Sequence, residues 1–65
     1  MKIKSFILHE ALYVQGLGNI KTNVNEAEYK TLEATLSVCE TLVVCNIKGI
    51  SFGIPVTNCK TIVFK

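Results

Sequence analysis

Residues 32–55 read LEATLSVCETLVVCNIKGISFGIP. From Leu32 onward apolar and polar residues alternate: Leu32, Ala34, Leu36 and Val38 against Glu33, Thr35 and Ser37. A period of two marks a strand with one face buried. A second run extends from Leu42 to Lys48 and a third from Ile50 to Ile54. If Glu40-Thr41 turns the chain in two residues, Val38 faces Val43, Leu36 faces Cys45 and Ala34 faces Ile47. If Lys48-Gly49 is the next turn, Ile47 faces Ile50, Cys45 faces Phe52 and Val43 faces Ile54. One face then stays apolar across three strands, while the other collects Glu33, Thr35, Ser37, Asn46, Lys48 and Ser51. A slip of one residue in either pairing would turn the apolar set outward. The segment therefore reads as a three-stranded antiparallel meander. Only Gly49 adopts positive φ without strain, so either turn has room for one more residue.

The rest of the chain is arranged around this meander. Pro55 has no N–H for a ladder and ends the third strand or places it at an edge. Thr57-Asn58 reads as a turn. Lys60 to Lys65 reads as a last strand with Ile62 and Phe64 inward and Val63 outward. Toward the N-terminus, Ile3 to Leu8 is a strand that continues toward Val14, and Gln15 to Asn19 is a flexible loop. Ile20 to Val24 is a further short strand. Asn25, with Glu28 three residues on, opens a short helix over Glu26 to Thr31, and Glu26 and Glu28 suit the positive end of its dipole. The expected fold is all-β or mostly β: a small bent antiparallel sheet or partly open barrel with one short helical turn.

Bulk properties limit what such a fold can do. The 65 residues fit one domain spanning 1–65. A chain of this length buries only about 60% of its unfolded surface. With 49% apolar residues, self-association is the readiest way to enlarge the core, so a homo-oligomer is expected. The net charge of +2 comes from seven Lys and five Glu, and there is no Arg. Arg is the side chain that grips phosphate or guanine bidentately. The lysines are also scattered, so nucleic acid is not the favoured partner. Lys2 and Lys4 before Phe6-Ile7-Leu8 imitate a signal peptide, but the apolar run stops at His9-Glu10. No stretch is long enough to span a membrane as an apolar helix. Cys39, Cys45 and Cys59 are odd in number, which reads as reduced thiols in a cytoplasmic setting.

Few residues carry a chemical signal. Cys45 points into the core and Cys39 away from it, so the two cannot bridge within the sheet. There is no C-x-x-C and His9 is the sole histidine, so neither a metal nor a cofactor is expected. No pair of groups has the identity and spacing of a catalytic dyad, and no catalytic residue is assigned. Gln15, Gly16, Gly18, Asn19 and Lys21 form the candidate ligand or partner loop, because adjacent glycines let backbone N–H groups approach an anion. Phe52 and Phe64 fall on the core face, leaving Tyr13 and Tyr29 as aromatics with a route to solvent. Leu42, Val44 and Val63 fall on the nominally polar face and are the candidate interface.

The closing stretch Lys48-Gly49-Ile50-Ser51-Phe52-Gly53-Ile54-Pro55-Val56-Thr57-Asn58, with Thr61-Ile62-Val63-Phe64 after it, resembles small phage-encoded β-rich proteins. In these a KG-x-x-F-x-I-P-x-x-N hairpin precedes a final apolar strand. Gly16-Leu17-Gly18, followed by Lys21-Thr22 and Val24, is similar to their upstream run. The resemblance implies a compact β domain that acts on a host protein, on a small ligand of host defence, or in the particle. It brings no catalytic residues. The expected function is a non-enzymatic accessory protein that binds a host protein, or sequesters a small ligand between subunits with the Gln15–Lys21 loop as rim. Its setting would then be the host cell cytoplasm. The alternatives are a nucleic-acid- or nucleotide-binding small barrel and a minor structural protein of a virion.

Overall fold

The computed structural model describes the backbone of residues 1–65 and the side chains of all but residues 30–32. Its strands are β1 (Ile3–Leu8), β2 (Leu12–Val14), β3 (Gly18–Ile20), β4 (Asn23–Asn25), β5 (Thr35–Cys39), β6 (Leu42–Ile47), β7 (Ile50–Pro55) and β8 (Cys59–Phe64). Two 3₁₀ segments, Glu26–Leu32 and Val56–Asn58, interrupt them. The fold is mostly β, with the strands in three small antiparallel sheets ordered β4-β1-β8, β2-β3 and β5-β6-β7. Among the described residues these sheets do not close into a barrel. The radius of gyration is 10.5 Å, against about 10.7 Å for a compact chain of this length.

The meander has the registers its sequence demands. Leu36 pairs with Cys45 and Val38 with Val43. Val43 pairs with Ile54, Cys45 with Phe52 and Ile47 with Ile50. Leu36, Val43, Cys45, Ile47 and Ile54 are at most 1% exposed, and Phe52 packs against them half-buried. On the opposite face Asn46 Nδ2 donates to Ser51 Oγ at 3.1 Å across the β6–β7 pair. Both turns are two residues long. Glu40 (φ 54°), Lys48 (φ 56°) and Gly49 (φ 80°) take left-handed backbone to close them.

The first strand of the meander starts later than its alternation suggests. The 3₁₀ segment runs to Leu32, and Glu33 sits at φ 54°. A left-handed residue breaks an extended chain, so β5 begins at Thr35. The Ala34–Ile47 pair is accordingly outside the ladder, and the inward placement of the Leu32 side chain lies outside the described residues.

The N-terminal half is more finely divided than expected. Ile20 to Val24 is not one strand, because Lys21-Thr22 separates β3 from β4. The Gln15–Asn19 loop is shorter than expected, because β3 begins at Gly18: Gln15-Gly16-Leu17 is the tight turn of the β2–β3 hairpin, with the Leu17 N–H donating to the Val14 carbonyl at 3.0 Å. Gly16 is required there: its φ is +93°, and an added Cβ would come within 2.7 Å of Ile50 Cδ1.

Asn25 caps the 3₁₀ segment, accepting from the Ala27 N–H at 3.0 Å. Glu28 does not complete a capping box, because its carboxylate is drawn to Lys21 Nζ at 2.9 Å.

Strand β1 shows how two buried residues at an odd spacing coexist. Ile3 and Phe6 are both at most 1% exposed, which strict alternation forbids. Pairing shifts from Ile3–Phe64 to Ser5–Val63, leaving Lys4 as an extra residue in β1. A second shift, from Ile7–Thr61 to Leu8–Cys59, leaves Lys60 extra in β8. Each bulge reverses the parity of the strand beyond it, and Ile3, Phe6 and Leu8 all reach the core. The two larger sheets meet where the start of the chain runs beside β5. Lys2 bridges to Ser37, and the Val38 N–H donates to the Met1 carbonyl at 3.0 Å.

Phe64 shares the face of buried Ile3, its cross-strand partner, yet remains 42% exposed, because β8 is the outermost strand of its sheet.

Candidate functional site

The outer face of the meander is built in rows across β5, β6 and β7. Pairing sets Cys39 beside Leu42 and Pro55, then Ser37 beside Val44 and Gly53, then Thr35 beside Asn46 and Ser51. Leu42 is 43% and Val44 38% exposed. The Leu42 side chain lies over Gly53, with its δ carbons 3.6 and 3.7 Å from where a Cβ would stand. The first two rows thus form an uncharged, mostly apolar strip on a sheet surface, consistent with the outward placement of Leu42 and Val44 read from the sequence.

Val63 also points outward, at 44% exposure, but it belongs to a different surface. From Val44 the row runs through Ser37 and its bridge to Lys2, and the Lys65 N–H donates to the Lys2 carbonyl. Lys65 therefore lies three strands from Val44, roughly 14 Å at about 4.8 Å per strand, and Val63 two residues further along β8, with Ser37 and two lysines between. On its own face Val63 has as neighbours Ser5, opposite it, and Ile7 at 37% exposure, while Phe64, at 42%, lies on the other face of β8. Sequence parity missed the exposure of Ile7 and Phe64, since alternation shows which way a strand faces but not whether another element covers it.

The Gln15–Lys21 segment sends its side chains in different directions. Gln15, Gly16 and Asn19 are exposed, and Asn19 pairs with Tyr13, itself 69% exposed, on the outside of the hairpin. Gly16 faces Ile50. Lys21 turns to Glu28, whose hydrogen bond and charge hold the Lys21 ammonium above its usual pKa. This pair is exposed on both sides, and such pairs contribute little to stability.

A surface cavity of about 410 Å³ opens elsewhere, lined by Lys4, Asn25, Glu26, Ala27 and Lys65. An ion pair of 2.7 Å between Lys65 Nζ and Glu26 Oε2 occupies its wall. The Lys4 bulge feeds this wall, and strand alternation gives no sign of it.

The thiols divide by depth. Cys39 is exposed and Cys45 buried. Cys59, partly buried, places its Sγ 3.9 Å from the Pro55 carbonyl. Burial, reinforced by nearby Cys59, pushes the Cys45 thiol from its ordinary 9.0 up to about 12. Burial raises Cys59 as well. A raised thiol pKa keeps the folded state protonated while the unfolded chain ionises. Stability from Cys45 is therefore whole below pH 9 and is lost as pH rises from about 9 toward 12, at roughly 1.4 kcal/mol per pH unit. Denaturant titrations at pH 8 and 10.5 should show this fall, and Cys45→Val should flatten most of it. An equal fall in Cys45→Val would place the titration elsewhere.

Among the described residues no group of three His, Cys, Asp or Glu side chains gathers as a metal site, and no helix is long and apolar enough to cross a membrane. Comparison of the chain with known protein families, curated proteins and solved structures finds no match.

Proposed function

We propose that this chain is a small non-enzymatic binding protein whose working surface is the outer face of β6, and that its partner is a protein. The observation that carries the reading is the uncharged strip of Leu42 and Val44 with Cys39, Gly53 and Pro55, which no other described element of the chain covers. Apolar strips of this kind mark interaction sites. A sheet face offers little concavity to a small molecule, which needs a pocket that buries most of its surface. The tight turn of the Gln15–Lys21 hairpin does not favour ligand sequestration. The resemblance of the Lys48–Asn58 hairpin to phage-encoded proteins extends the reading to an accessory protein acting on a host protein in the host cytoplasm.

A photo-crosslinking residue at Val44, in the cells that make the chain, tests this. It should yield one discrete adduct with another protein. A probe at Lys48, in the turn beyond β6, should not, and adding Leu42→Lys should abolish the Val44 adduct. No adduct, the same adduct from both positions, or an adduct only with the chain itself would contradict the reading.

A further inference from the structure

We infer that a second copy of this chain adds to the sheet at β8, antiparallel, about a twofold axis through Val63. Of the outer strands with an edge unpaired by any described residue, β7 and β8 are the longest, at six residues each against three for β2, β3 and β4. An open edge presents a row of N–H and C=O groups that another strand can complete.

The two edges differ. The Val56 N–H donates to the Thr41 carbonyl, continuing the β7–β6 ladder. Alternation then turns Ile50, Phe52 and Ile54 toward β6 and leaves Ser51, Gly53 and Pro55 on the free side. Pro55 has no donor, and the other two offer a hydroxymethyl and no side chain at all, so this edge is poorly suited to pairing.

The β8 edge is the reverse. The Lys65 N–H donates to the Lys2 carbonyl, so Thr61 and Val63 also direct their backbone groups to β1. Ile62 and Phe64 then direct theirs outward. Val63 and Phe64 are 44% and 42% exposed, and the run Thr61-Ile62-Val63-Phe64 is β-branched and aromatic throughout.

These directions set the register. Outward-facing residues must pair with outward-facing residues, which excludes the pairing that would set Lys60 against Lys65 of the second copy. With the axis through Val63, Ile62 and Phe64 of each copy exchange backbone hydrogen bonds with Phe64 and Ile62 of the other. Val63 meets its own mate on the outer face, and Thr61 lies beside the aliphatic stem of Lys65. Like charges are not opposed, and the bulged residue Lys60 stays outside the ladder. The surface is self-complementary, which favours a second copy over an unrelated strand. It is separate from the Leu42–Val44 strip and stands or falls without it.

Light scattering on the full chain at tens of micromolar should give twice the 7.2 kDa of one chain. Phe64→Pro removes an outward donor and leaves the β1-facing groups of Val63 and Lys65 in place. It should give a monomer with unchanged far-ultraviolet dichroism, while Val44→Lys should remain a dimer. Should Phe64→Pro fail to fold, Val63→Lys and Val63→Glu decide the matter, since each alters only an exposed position. Each alone should dissociate at least tenfold more readily at low salt, and an equimolar mixture should restore the dimer, because the two residues meet at the axis. A monomeric wild type, a dimer that survives Phe64→Pro, a dimer that dissolves in Val44→Lys, or no rescue on mixing would overturn the inference.

Discussion

Val43→Asp is expected to leave the chain unfolded at room temperature, and Val44→Asp, one residue along β6, to leave it folded. Val43 is fully buried and Val44 is 38% exposed. Asp at Val43 forfeits about 2 kcal/mol of apolar burial and must bury an unpaired carboxylate at a further cost of several kcal/mol. A domain of this size has only about 3–10 kcal/mol in total. At Val44 the carboxylate meets water, and the loss is about 1 kcal/mol of strand preference. Far-ultraviolet dichroism with urea titration separates the two outcomes. Equal effects at both positions would mean that β6 is not half-buried.

Phe6→Ala should be nearly as severe. Phe6 is 1% exposed and the largest of the fully buried side chains. It is also held between Val24 of β4 and Ile62 of β8, its cross-strand partners. Truncating a buried Phe costs about 3–5 kcal/mol from lost transfer energy and the cavity left behind. Thermal unfolding should show either no transition or a midpoint lowered by more than ten degrees, at roughly 4–8 °C per kcal/mol. A midpoint within a few degrees of wild type would show that the β4-β1-β8 sheet contributes little to the core.

The meander is legible in the sequence because two registers constrain each other through β6. Each of its side chains must satisfy both hairpins, and two-residue turns admit only one alignment. The N-terminal half lacks that redundancy. Lys4 and Lys60 enter bulges, and a bulge leaves no mark in an alternation pattern except that it breaks it. Gln15-Gly16-Leu17-Gly18 reads as a loop because its glycines signal freedom, whereas here they serve a tight turn and a close approach to Ile50. Alternation misplaces the start of β5 because Leu32 and Ala34 fit a strand pattern while Glu33 is left-handed. Of the candidate surfaces, the outward parity of Leu42, Val44 and Val63 can be read from strand period alone. Their division between two sheets cannot, since it depends on the Lys2–Ser37 bridge between segments distant in the chain.

Both hairpins of the meander share one buried side, and cross-strand nuclear Overhauser effects measure that register directly. In a two-residue hairpin the second pair from the turn, and every other pair beyond it, brings its α-hydrogens together. Strong Hα–Hα effects are expected for Val38–Val43 and Leu36–Cys45, and for Val44–Gly53 and Asn46–Ser51. Effects displaced by one residue in either hairpin, or sequential amide contacts of a helix through Thr35–Cys39, would contradict it.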